Sequence, residues 1–79
     1  MTMNFIDKGK RLPVVEHLTK EQYKQLMQTY TAHNRSMGLA YREKYSFGNI
    51  KKVVVAPKGI LKVYYEDNWW HYTPHHTWY

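Results

Sequence analysis

The periodicity of the apolar residues changes at Ile50, and this change restricts the chain to folds in which a helix precedes a sheet. Between residues 23 and 41, apolar residues recur at steps of three, four or seven, which indicates one amphipathic helix. After that point, β-branched and aromatic residues form three short runs. The sequence therefore predicts an α+β fold, with one principal helix packed on a three-stranded antiparallel β-meander and an irregular N-terminal arm. The three runs are residues 50–56, 60–66 and 69–73.

The predicted helix begins with a capping box. The spacing of Thr19 and Gln22 lets the Thr19 hydroxyl accept from the Gln22 amide while the Gln22 side chain accepts from the Thr19 amide. Gly38 interrupts the helical pattern, either as a left-handed residue after the helix or as a costly interior one. We therefore predict a helix over residues 19–37 and a weaker continuation over residues 39–45. The apolar stripe consists of Tyr23, Leu26, Met27, Tyr30, Met37, Ala40 and Tyr41.

Two turns predict the register of the strands. Pro57-Lys58-Gly59 suits a three-residue hairpin loop, with proline at the second position of a type I turn and Gly59 left-handed. Asp67-Asn68 suits a two-residue loop, because both residues tolerate positive φ. These loops pair Val55 with Leu61, Val53 with Val63, Tyr65 with Trp70, and Val63 with Tyr72.

This register assigns alternate strand residues to opposite faces of the sheet. A single helix covers only one side of a three-stranded sheet, so the second face is left to solvent, to a terminal segment or to a partner. In the second face Lys52 is expected opposite Tyr64, and Tyr64 opposite His71. The predicted core face is Val53, Val55, Leu61, Val63, Tyr65, Trp70 and Tyr72. The predicted second face is Ile50, Lys52, Val54, Ile60, Lys62, Tyr64, Trp69 and His71.

The length of the chain limits its core. With 79 residues and no Cys, we expect a single small domain over residues 1–79 without a disulfide, in which residues 1–5 and 74–79 are candidate flexible tails. Such a domain is marginally stable alone, so a homodimer or a bound partner would add stability. The 12 Lys and Arg against 6 Asp and Glu give a net charge of +6, which favours a polyanionic partner.

Lysines and aromatic rings on the second face indicate single-stranded nucleic acid as the partner. Aromatic rings stack on bases while ammonium groups neutralise phosphates. In this interpretation the lysines bind phosphate and His71 adds a pH-dependent donor. The alternative is structural, with the rings buried against residues 3–18 or against a second copy of the chain. The candidate binding residues are Lys51, Lys52, Lys62, Tyr64, Trp69 and His71.

The same surface also suits a protein partner, because Trp and Tyr anchor interfaces. The size and charge of the chain are compatible with a phage- or plasmid-encoded inhibitor or adaptor that acts on a host nucleic-acid-processing enzyme or defence nuclease. A second alternative is a toxin-type small ribonuclease with His71, Glu66, Lys62 and Arg42 as its catalytic set. Since the six acidic residues form no spaced pair in an apolar setting, we expect a non-enzymatic binding protein.

The histidines give weak signals. His71, His75 and His76 have a spacing that suits zinc, but a proline between them prevents helical placement, so we expect a solvated tail, no metal and no cofactor. His17 and His33 are expected at the solvent or at the edge of the core. The chain has neither a signal-peptide-like segment nor a membrane-spanning run, so we expect a cytoplasmic protein without a membrane partner.

Overall fold

A computed structural model describes residues 12–79 of the chain. Two helices precede an antiparallel sheet whose strands lie in their sequence order. The predicted α+β fold, with a principal helix packed on a β-meander, is confirmed. Residues 1–11, which hold most of the predicted N-terminal arm and one predicted tail, lie outside the described residues. The elements are α1 (Lys20–Arg35), α2 (Leu39–Lys44), β1 (Lys52–Val55), β2 (Leu61–Tyr64) and β3 (Trp69–Tyr72).

Helix α1 begins at the predicted capping box. The Thr19 hydroxyl accepts from the Gln22 amide at 3.1 Å, and the Gln22 side chain accepts from the Thr19 amide at 2.9 Å. Downstream, Leu26 and Thr29 are fully buried, which places one stripe of the helix against the sheet. The helix packs mainly on β3, while a 3-10 turn at Pro13–Val15 packs on β1.

Helix α1 ends at Arg35, two residues before the predicted end. Gly38 then lies between the two helices in an extended conformation with φ −70°, rather than in a left-handed one. Because of this break, the apolar stripe of α1 does not continue along α2. Ala40 and Tyr41 are consequently exposed, so the prediction that they face the core is wrong.

The first hairpin has the predicted register. Val53 pairs with Val63 and Val55 with Leu61. The loop Pro57–Gly59 also lies where expected, and Gly59 has a φ of 75°. Lys58 has a φ of 64°, however, so the turn is not of type I, which requires a negative φ at that position.

The second hairpin is shifted by two residues from the predicted register. Tyr64 pairs with Trp69, and Val63 pairs with Trp70 instead of Tyr72. The reason is a four-residue loop, 65–68, in place of the two-residue loop: the Tyr65 amide donates to the Asn68 carbonyl at 2.7 Å, and the Trp69 amide donates to the Asn68 side chain at 2.8 Å. A shift of two residues keeps every side chain on its predicted face, because side chains alternate with a period of two.

The core lies between the sheet, α1 and the Pro13–Val15 turn. Five of the seven predicted core-face residues are buried and Trp70 packs against them, while Val55, at the end of β1, is 44% exposed. Ile50 is buried, against prediction, because it precedes β1 and follows a 3-10 turn, where strand alternation does not apply. The buried apolar residues are Val15, Leu18, Tyr23, Leu26, Tyr45, Ile50, Val53, Leu61, Val63, Tyr65 and Tyr72.

Candidate functional site

The side of the sheet opposite the core carries lysines and aromatic rings. Here the outer face means Lys52, Val54, Lys62, Tyr64, Trp69 and His71. Lys52 pairs with Tyr64, which pairs in turn with Trp69, so these three side chains form one row across the three strands. Lys62 lies between Val54 and His71 in the next row. The predicted pairing of Tyr64 with His71 is therefore wrong, although both residues are on the predicted face.

The rings of the outer face contact one another. Tyr64 and Trp69 stack with centroids 5.3 Å apart and an interplanar angle of 17°. His71 lies 4.7 Å from Trp69 in a tilted arrangement and stacks on Tyr79 at 4.4 Å and 8°. Four rings from β2, β3 and the C-terminal residues are thus continuous, and Trp69 within them is 43% exposed.

The charge of the outer face is positive. The Lys52 ammonium lies 5.9 Å from the centroid of the Tyr64 ring, within the range of a cation–π interaction. Lys52 is exposed, and Lys62 is half-buried between its strand neighbours. None of the strand residues in β1, β2 and β3 is acidic, so no carboxylate within the sheet neutralises these two lysines.

The structure places Lys51 apart from the outer face. Its amide donates to the Tyr64 carbonyl at 2.7 Å, and it lines a pocket of about 380 Å³ with residues that do not belong to the outer face, among them Lys44 and Asp67. In the same pocket Lys44 pairs with Asp67 at 2.6 Å, and this ion pair lowers the pKa of the Asp67 carboxyl. Lys51 and Lys52 therefore do not lie in one cluster, in contrast to the prediction from the sequence.

The residues of the ribonuclease alternative are not brought together. Lys62 lies opposite His71 on the outer face, whereas Glu66 lines the pocket beside Lys51. The Arg42 guanidinium donates to the Met37 carbonyl at 2.9 Å, next to α2. Within residues 12–79, no group of three His, Asp or Glu side chains is placed to hold a metal ion.

His33 is buried, in contrast to the prediction that it lies at the solvent or the core edge. It is 4% exposed, and its Nδ1 atom lies 2.8 Å from the Tyr72 hydroxyl. Its ring stacks on Trp78 at 4.8 Å and meets Trp70 edge-on at 4.5 Å. Burial lowers the pKa of His33 to about 4. His33 follows Leu26 by seven residues, a helical spacing that already places it on the buried stripe.

The C-terminal residues return along β3, which the sequence alone did not establish. His71 and Tyr79 exchange two backbone hydrogen bonds of 2.9 and 3.1 Å, and Tyr72 pairs with Trp78. The Thr73 amide donates to the Thr77 carbonyl at 2.9 Å and closes the turn. Trp78 thus faces the core while Tyr79 joins the rings of the outer face. No local sequence signal predicts this return, because it is defined by backbone hydrogen bonds to His71.

Comparisons of the chain with protein-family models, with curated proteins and with solved structures find no match. In the described part of the chain, neither helix has the length and apolar character needed to cross a membrane. The function is therefore inferred from the geometry and charge of the outer face.

Proposed function

We propose that the protein is a small non-enzymatic binding protein that holds single-stranded nucleic acid on the outer face of its sheet. One observation carries this proposal: Lys52, Tyr64 and Trp69 form a single row, with Lys52 and Trp69 exposed and Tyr64 half-buried, in which an ammonium group lies beside stacked rings. Rings and cations in one row are what a nucleotide needs, because its base stacks while its phosphate is neutralised.

Each part of the row has a separate role in this proposal. The Trp69 and Tyr64 rings stack on bases, with about 1–3 kcal/mol for each base. Lys52 and Lys62 neutralise phosphates, and each phosphate contact on a single strand contributes about 0.7 to the slope of log affinity against log salt. His71, next to Lys62, supplies an N–H hydrogen-bond donor to the bound strand.

The stacking of the rings favours single strands over duplexes. Tyr64 and Trp69 cover one face of each other, so a base must reach the remaining ring surface. Unpaired bases can turn out of the backbone to do this, whereas bases in a duplex are held in their own stack.

The test is fluorescence anisotropy with labelled dT12, U12 and a 12-base-pair duplex at 50 and 200 mM NaCl. We expect both single strands to bind more tightly than the duplex. Trp69→Ala should weaken binding by about 5- to 150-fold at an unchanged salt slope, since it removes one base stack. Lys52→Ala and Lys62→Ala should each reduce the slope by about 0.7.

Two control variants match these substitutions. Tyr41→Ala removes a ring that is 59% exposed on α2, away from the outer face, and Lys24→Ala removes an exposed lysine of α1. Neither should change the affinity by more than about twofold, apart from a small effect of net charge. Equal losses in Tyr41→Ala and Trp69→Ala, or no binding of single strands, would refute the proposal. If Trp69 instead anchors a protein partner, that affinity should depend on Trp69 and little on salt.

A further inference from the structure

We propose that Tyr79 is a binding residue of the same surface and that the C-terminal return adds a fourth strand to the site. This inference rests on the proposed function and extends it to a residue outside the three strands. Its basis is the position of the Tyr79 ring, which stacks on His71 at 4.4 Å with an angle of 8° and is 66% exposed.

The backbone fixes this position. His71 and Tyr79 donate to each other's carbonyls at 2.9 and 3.1 Å, as neighbours in an antiparallel ladder do. The preceding residue, Trp78, pairs with Tyr72 and stacks on His33 within the core. Because Trp78 anchors the segment in the core, the Tyr79 ring lies on the outer face and does not itself pack into the core.

The addition of Tyr79 lengthens the surface. From β1 to the C-terminal strand there are three strand spacings of about 4.8 Å, or about 14 Å in total, against about 10 Å without the fourth strand. Tyr79 should therefore contribute one nucleotide to the length of strand that the protein contacts.

The experiment measures affinity against oligonucleotide length, by competition with unlabelled dT2 to dT8. In the unchanged protein we expect the affinity to rise with length and then level off. In Tyr79→Ala it should level off one nucleotide earlier, with binding of dT8 about fivefold weaker or more and an unchanged salt slope. Tyr79→Phe should restore the normal length dependence, because the ring and not the hydroxyl makes the stack.

Further variants separate a binding role from a structural one. Tyr79→Leu keeps apolar bulk on the strand but removes the aromatic face, so it should bind as weakly as Tyr79→Ala, with the circular dichroism spectrum and thermal midpoint of the unchanged protein. Tyr41→Ala again serves as the exposed-tyrosine control. Binding of dT8 by Tyr79→Leu as tight as in the unchanged protein would overturn this inference, while the proposed function would stand if Trp69→Ala still weakens binding. No binding of any oligonucleotide by the unchanged protein would overturn both.

Discussion

Burial of a neutral histidine predicts that the protein loses stability at mildly acidic pH. His33 is enclosed by Tyr72, Trp70 and Trp78, and its pKa is lowered to about 4 from the ordinary 6.5. In the unfolded chain the same imidazole binds a proton once the pH falls below about 6.5. The unfolded state therefore binds more protons between pH 6.5 and 4, so the free energy of unfolding falls as the pH is lowered through this range.

The size of the effect follows from the two pKa values. Below pH 4, where the effect is complete, the free energy of unfolding is lower by about 3 kcal/mol, because each unit of pKa difference corresponds to about 1.4 kcal/mol. As the pH is lowered from 7 to 5, the same proton linkage lowers the free energy of unfolding by about 2 kcal/mol. That interval lies mostly above the titration of ordinary carboxyl groups, so His33 should dominate the change. For a small domain about 2 kcal/mol is a large part of its total stability.

Urea denaturation followed by tryptophan fluorescence at pH 7, 6 and 5 measures this loss. His33→Gln removes the titration, so we expect a less stable protein whose free energy of unfolding changes by under about 0.5 kcal/mol over the same interval. His75→Gln, at an exposed histidine, is the matched control and should behave as the unchanged protein. An equal acid loss in His33→Gln, or none in the unchanged protein, would refute the assignment of the effect to His33.

Two further predictions concern local structure, both measured by urea denaturation at pH 7. Thr19→Ala removes the capping-box hydrogen bond that the Thr19 hydroxyl accepts from the Gln22 amide and should lower the free energy of unfolding by about 1 kcal/mol; an unchanged midpoint would show that this bond adds nothing. Gly59→Ala should cost more than about 1 kcal/mol, because φ is 75° and the new Cβ would lie 2.9 Å from the Pro74 ring. Gly48→Ala, where an added Cβ meets nothing within 4 Å, is its control, and equal losses at both positions would contradict this explanation.

Most residues of the outer face could be predicted from the sequence, because alternation requires only that each strand residue be assigned to the correct one of two faces. The second hairpin shows this most clearly: its register was wrong by two residues, yet Trp69 and His71 remained on the predicted face. The length of the loop was not predictable, since Asp67-Asn68 also fits a tighter turn. The Asn68 side chain, which accepts from the Trp69 amide, favours the longer loop.

The remaining differences between prediction and structure have separate causes. His33 is polar and was assigned to the surface, but rings from β3 and the C-terminal segment enclose it. The contribution of Tyr79 requires a backbone return that only the ladder with His71 defines. Lys51 was grouped with Lys52 because of its charge, although alternation alone would separate them. Charge patterns thus identified the kind of surface, and tertiary packing decided which residues belong to it.

The two edges of the sheet have a consequence for self-association. At the β1 edge the Val53 carbonyl accepts a hydrogen bond from His17 Nε2 at 2.8 Å, and at the β3 edge His71 is already paired with Tyr79. A strand from another molecule would have to displace one of these groups before it could pair directly with β1 or β3. Open strand edges are templates for aggregation, so this arrangement helps a basic, ring-rich protein to remain dispersed.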